Sequence, residues 1–322
     1  PCCTVRQRDV GWCHKATLGQ SVGRDLIRSG ACRVSHVIVD GVKTPCRDRG
    51  KRCQKALKSD VRQTGLLLYW RGAGWRPCGS VCRACKKRWH GHRVQAVETR
   101  GKAMLVHFEH GLTVYSHNQL YGVWRVVSGH ALPESRRSLR LLLQTATDSA
   151  ILYSASDISV WPVEELGLHP FLARLGPDIM AADLAWRTIA QRLQSPQFTG
   201  RKLASLYLDQ GFLAGIGNYL RSEILHEASL HPLRRAASLS SGERGRLARA
   251  TLAISRRSYH TGGVTLAAPL ARSLQRRALE WEQRRFAVFG RAESPCYRCG
   301  TRIVRREFNS RRLYFCPVCQ VE

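Results

Sequence analysis

Four cysteines near the C-terminus, Cys296, Cys299, Cys316 and Cys319, have the spacing C-x2-C-x16-C-x2-C. Each C-x2-C turns as a tight knuckle that offers two thiolates to one ion, and two knuckles complete a closed tetrahedral Zn2+ site. Such a site is structural, because no coordination position is left for a substrate. Between the knuckles, "RIVRREF" and "RRLYF" alternate as a two-stranded hairpin does, with Arg311 and Arg312 at its turn. The chain is therefore expected to end in a zinc-bound hairpin holding one structural ion.

The other nine cysteines all lie at or before Cys85, and none falls between Cys85 and Cys296. A secreted disulfide framework does not distribute cysteine in this way. No signal peptide is recognisable, and the apolar run "GLLLYW" (65–70) is far below membrane-spanning length. A reducing, cytoplasmic setting with no membrane partner is expected, which disfavours disulfides or an iron–sulfur cluster at the C-terminal cysteines. Cys78, Cys82 and Cys85 do match the C-x3-C-x2-C of cluster-binding radical enzymes. No barrel-like βα alternation surrounds them, and short motifs of this kind often occur by chance.

Charge narrows the partner. Lys and Arg number 52 against 23 Asp and Glu, a formal net charge of +29. A protein this basic usually meets a polyanion, most commonly nucleic acid. Residues 1–90 hold 20 Lys/Arg, five Asp and no Glu, whereas the remaining 232 residues carry 32 basic and 18 acidic groups. The basic character is thus not confined to the unusual N-terminal part.

Order begins near Gly91. "RVQAVETRGKAMLVHFEHGLTVYSHN" (93–118) alternates apolar and polar residues, broken by turns at "RGK" and "EHG", as antiparallel strands do. Residues 138–145 and 150–156 read as two further strands. Helical spacing follows at 184–194, 202–209, 218–228 and 240–259, while 260–285 is Arg-rich and loosely patterned. The expected class is α+β and multidomain, with a non-native segment over 1–90. A β-sandwich domain at 91–175, a helical domain at 176–285 and a zinc finger at 286–322 follow it. "LDQGFLAGIGNYLRSEIL" (208–225) joins two helices through a glycine-rich turn that ends at Asn218. Amides at the second helix's start suit a phosphate, and Asn218 suits either a helix cap or a phosphate contact.

Together, "VETRGKAMLVHF", "YSHNQLYGVWRVV", "LYSASDI", "HPFLARLGPD", "LDQGFLAGIGNYLRSEIL" and the zinc hairpin resemble the endonuclease VIII branch of the formamidopyrimidine-DNA glycosylase family. The resemblance runs from about Gly91 to Gln320. It implies a β-sandwich, a helix–two-turn–helix domain and a zinc finger, with double-stranded DNA bound between them by a monomer acting in the nucleoid. It also implies a bifunctional glycosylase/AP lyase of base excision repair. The oxidised pyrimidine is flipped out, a terminal proline's amine attacks the glycosidic carbon, and β,δ-elimination cuts the strand. By the same resemblance Lys102 assists proton transfer. Gln119, Leu120 and Tyr121 fill the gap left by the flipped base. Arg174, Asn218 and Arg311 hold phosphates, and Arg311 also serves δ-elimination.

One element of the family pattern is missing. The family opens with Pro-Glu after its initiator Met, and no Pro-Glu pair occurs in the 101 residues before Lys102. Yet back-translating "CQKALKSDVRQTG" (53–65) and moving the frame one base upstream permits M-P-E-G-P-E-I-R-R-A-A-D-R. Residues 53 to about 90 are accordingly read as the family's N-terminus in a shifted frame. Residues 1–52 are read as translated upstream DNA, with sense restored by Gly91. Pro1 itself is followed by Cys2 and Cys3 rather than by Glu, so it is a poor candidate nucleophile. Two functions follow: a glycosylase/AP lyase impaired as written, or a damaged-DNA-binding remnant without catalysis.

Overall fold

The computed structural model describes residues 36–39, 91–277 and 279–321. The frame-shifted reading of 53–90, the Cys78–Cys85 motif and Pro1 lie outside these residues. The chain divides into two compact units at Leu172/Ala173.

The first unit is a β-sandwich. One antiparallel sheet has the order β2 (Val94–Arg100), β3 (Ala103–Phe108), β4 (Leu112–His117), β8 (Asp157–Pro162). The other has the order β1 (His36–Val39), β6 (Leu139–Gln144), β7 (Asp148–Tyr153), β5 (Val123–Ser128). Inward residues of both sheets share one core, including Met104, Val106, Phe108 and Val114 from one face and Trp124, Leu141, Leu143 and Leu152 from the other. This is the period-two pattern of the sequence turned into two facing apolar layers. β1, from the segment read as non-native, pairs antiparallel with β6 and occupies that sheet's edge. β5 and β8 add two strands that the sequence reading did not separate out.

Register places the turns that matter. Ala103 pairs with His117, and His117 pairs with Asp157, so the β2–β3 turn, the segment after β4 and the start of β8 lie at one end of the sheet. Gly101 opens the two-residue β2–β3 turn with φ +61°, a value that Gly tolerates without strain.

The second unit is helical and ends in the hairpin. Its helices are α1 (Trp186–Gln194), α2 (Pro196–Thr199), α3 (Leu203–Leu206), α4 (Asn218–Glu227), α5 (Ser241–His260) and α6 (Ala268–Arg276). The expected helix over 202–209 is only one turn long. Its continuation is replaced by turns in which the Asp209 carboxylate accepts the Gly211 N–H at 2.8 Å. The loosely patterned 260–285 holds α6, whose Pro269 stands in the first turn, where a missing N–H costs nothing. α5 starts on a capping box: Ser240 Oγ accepts from Glu243 N, and Glu243 Oε2 accepts from Ser240 N at 2.7 Å. β9 (Val304–Phe308) and β10 (Arg311–Phe315) form the hairpin. Among the described residues no helix is long and apolar enough to cross a membrane.

Candidate nucleic-acid interface and metal centre

The four C-terminal cysteines converge, with all four Sγ atoms within 4.8 Å of one another. Cys299 and Cys316 are 3.5 Å apart and Cys296 and Cys319 3.9 Å apart. Four thiolates around Zn2+ at a Zn–S distance of about 2.3 Å stand about 3.8 Å from one another, so the donor set fits one tetrahedral zinc. The knuckles are built for anionic sulfur: the amides of Arg298 and Cys319 donate to Cys296 Sγ and Cys316 Sγ, both at 3.4 Å. Gly300 closes the first knuckle with φ +77°.

Between β9 and β10, Asn309 and Ser310 both have positive φ, +51° and +56°. This is the type I′ geometry whose twist matches that of the strands it joins. It leaves Arg311 and Arg312, both exposed, at the hairpin tip.

α4 carries that tip. Asn218 is its first residue and does not cap it; Gly217 stands at the cap with no side-chain bond. Asn218 Nδ2 instead donates to the Arg312 carbonyl at 2.7 Å. Its Oδ1 accepts from Arg221 Nη2 at 2.6 Å, and the same Nη2 reaches Arg312 O at 3.1 Å. Arg221 is fully buried, and its Nη1 donates to Ala204 O at 2.9 Å. Burial, with Arg311 nearby, lowers its pKa to about 10, so it remains charged at neutral pH.

Further along α4, Glu223 is buried and its carboxylate accepts four hydrogen bonds. Thr265 Oγ1 donates at 2.6 Å, and the amides of Ala287, Val288 and Phe289 donate at 2.8 Å each. His226 Nε2 lies 3.6 Å from Cys296 Sγ; burial, then Arg298 and Arg291, push its pKa to about 4. Arg298 closes the last turn by donating to His226 O at 2.9 Å and to Glu227 Oε2 at 2.6 Å. Every turn of α4 therefore holds the C-terminal module. Arg221, Glu223 and His226 escaped the sequence reading. No sequence signal singles them out, because charged and polar residues on a helix ordinarily face solvent.

The glycine-rich turn is held as tightly. Gln210 Nε2 donates to Leu208 O and Ile216 O at 3.1 and 3.0 Å, and Gln210 Oε1 accepts from Gly215 N at 3.0 Å. Arg192 donates to the carbonyls of Gly211 and Phe212 at 2.7 and 3.0 Å. The segment that follows Arg174 docks on this turn: Gly176 N donates to Gln210 O at 2.9 Å, and Ala214 N to Pro177 O at 2.9 Å. A side chain at Gly176 would place its Cβ 2.3 Å from Gly211 O, so only glycine fits there. Arg174 itself is exposed.

In the sandwich, half-buried Lys102 sits in the β2–β3 turn. Gln119, Leu120 and Tyr121 form the turn after β4, closed by Gly122 N donating to Asn118 O at 2.8 Å. Gln119 has φ +50° and accepts from Ser156 Oγ at 2.5 Å. Leu120 and Tyr121 are 42% and 61% exposed.

Comparison with known proteins agrees with these parts. The formamidopyrimidine-DNA glycosylase H2TH domain family matches residues 175–269, and the zinc finger found in FPG and IleRS matches residues 293–321. Endonuclease 8 of Enterobacter sp. (strain 638) is 49% identical over 230 residues, 71% of this chain and 84% of that protein. Endonuclease 8 of Escherichia coli (strain K12 / DH10B) is 47% identical with the same coverage. The Lactococcus lactis formamidopyrimidine-DNA glycosylase in complex with FAPY-dG-containing DNA superimposes with a TM-score of 0.68 at 18% identity, covering 96% of this chain and 99% of that one. The same enzyme bound to AP-site DNA gives 0.61 at 22% identity over 74% and 86% of the two chains. Those structures share the fold: a β-sandwich, a helix–two-turn–helix and a four-cysteine zinc hairpin. With relatives this similar over most of their length, the chain belongs to the endonuclease VIII/formamidopyrimidine-DNA glycosylase family of DNA repair enzymes.

Proposed function

We propose that the protein binds duplex DNA containing an oxidised pyrimidine or an abasic site, and that its lineage excises the base and cuts the strand by β,δ-elimination. The observation that carries this reading is the joining of Asn218, at the start of α4, to the Arg311–Arg312 hairpin tip. Two exposed cations and a helix N-terminus offer a backbone phosphate both charge and donors. Arg174, Asn218 and Arg311 hold the strand. Leu120 and Tyr121 with Gln119 enter the stack where the damaged base leaves it, since exposed apolar wedges suit unstacked DNA. Lys102 assists proton transfer and Arg311 the second elimination. Zn2+ supplies no step; Cys296, Cys299, Cys316 and Cys319 hold it, and the hairpin is thereby held. The relatives named "Endonuclease 8" and the Lactococcus enzyme's complexes with AP-site and FAPY-dG DNA support damaged DNA as the substrate, and the choice of an oxidised pyrimidine rests on the resemblance to endonuclease VIII alone. The reading places the protein in the cytoplasm, with the chromosome, acting as a monomer.

Residues 1–101 contain no Pro-Glu pair, and a chain lacking that terminal nucleophile is expected to bind damaged DNA without cutting it. Borohydride trapping on an abasic-site duplex tests both parts. The written chain is expected to bind without forming an adduct, and a chain opened by the frame-corrected Pro-Glu segment is expected to be trapped. An adduct with the written chain overturns the loss of catalysis, and absence of binding by both overturns the DNA reading.

A further inference from the structure

Arg221 is an expensive residue to keep. It is fully buried, and its three partners, Ala204 O, Asn218 Oδ1 and Arg312 O, are all neutral oxygens. Among the described residues no carboxylate pairs with it, and its Nε has no hydrogen-bond partner. Burying a cation in this way costs several kcal/mol unless an anion compensates it. The surroundings deepen the problem: Arg311 is the neighbouring charge, and the N-terminus of ten-residue α4 is itself positive. Three positive features converge, and the anion that would relieve them is not a side chain.

The contact with Asn218 sets a direction. Because Arg221 Nη2 donates to Oδ1, the amide cannot flip without facing donor to donor. Its NH2 group is held away from Arg221, toward the hairpin tip. An amide NH2 has two hydrogens, and Arg312 O takes one. The other is the donor that a phosphate oxygen would take.

We propose that Arg221 is the positioning residue of one phosphate site: it fixes the Asn218 amide and supplies the buried charge that one DNA backbone phosphate, held by Asn218 and Arg311, neutralises. This rests on the reading of Asn218 and Arg311 as phosphate contacts.

The test is binding of the full chain to a duplex carrying a tetrahydrofuran abasic-site analogue, by fluorescence anisotropy over a salt series. R221Q keeps a donor for Asn218 but no charge, whereas R221K keeps the charge without the fork. R221Q is expected to bind about tenfold more weakly, with a log–log salt slope shallower by about 1, and R221K to recover the slope. Equal binding by R221Q and the parent overturns the proposal, as does weakening in both variants with an unchanged slope. If R221Q does not fold, R221M replaces it; failure of both assigns Arg221 to packing and overturns the proposal too. A parent that does not prefer the abasic duplex to an undamaged one marks failure of the functional reading instead.

Discussion

The two units place their candidate DNA-contacting residues by opposite means. In the helical unit, Asn218 is bonded at both ends of its amide and the turn before it is pinned by Gln210, Arg192 and Asp209. In the sandwich, Leu120 and Tyr121 stand out from a tight turn with much of their apolar surface in water. The first arrangement suits a ligand of fixed shape, the phosphate backbone, whose donors can be set in advance. The second suits a space that exists only after a base has left the stack, where an apolar plug gains by leaving water. The polar candidates of the helical unit are thus set in advance by hydrogen bonds, whereas the apolar candidates of the sandwich bear the cost of exposure.

The largest way to break this comparison is to remove the metal. Cys296→Ser, or chelation, should release the hairpin, because binding energy at structural zinc sites, on the order of 10 kcal/mol, is largely folding energy. Rapid proteolysis around the hairpin and at least 100-fold weaker binding of abasic-site duplex are expected, with the sandwich's protease resistance unchanged. The wedge should behave in the reverse manner. Leu120→Ala with Tyr121→Ala is expected to leave the melting temperature within about 2 °C while weakening damaged-duplex binding tenfold or more, given about 1–3 kcal/mol per stacked contact. Anisotropy against an undamaged duplex, which should change little, separates wedge from general affinity. The smallest effect concerns only the scaffold. Ion pairing with Arg234, then the Ser240 amide, hold the Glu243 carboxyl down to about 2. A carboxyl whose folded pKa is depressed stabilises above its unfolded value, near 4.5, and that contribution fades as pH falls toward 2. Glu243→Gln should therefore cost about 1 kcal/mol at pH 7 and flatten the acid side of the stability curve between pH 4.5 and 2. Denaturant melts across that window check the slope.

What the sequence made legible was whatever repeats at short range. Cysteine spacing fixed the metal ligands, and period-two alternation found most of the sandwich. The hairpin was legible from its two alternating runs, though Asn309 and Ser310, which make its turn, were not singled out. What stayed hidden depends on partners far along the chain. Glu223 meets amides 64 to 66 residues away, and Arg221 meets Arg312 O at a separation of 91. In the sequence both look like ordinary helix-surface charges, and only packing on two sides turns them inward. The same blindness explains α6, whose Arg-rich sequence conceals its buried Leu274. Asn218 was legible as a residue of interest; of the two roles the sequence allows, the helix cap is unused, and a carbonyl ninety-four residues away takes its amide.

The grip of α4 also determines what can be transplanted. The zinc finger family covers residues 293–321, yet that segment's hairpin tip and first cysteine, and the backbone of 287–289 just before it, are each held by side chains of a helix that ends at Glu227. A designer who moved the finger alone into another scaffold would leave its anchors behind. The portable cassette starts at α3, whose Ala204 carbonyl receives Arg221, and substitutions in α4 must satisfy two neighbours at once. A saturation library should therefore find these ten helical positions less permissive than the exposed strand residues of β9.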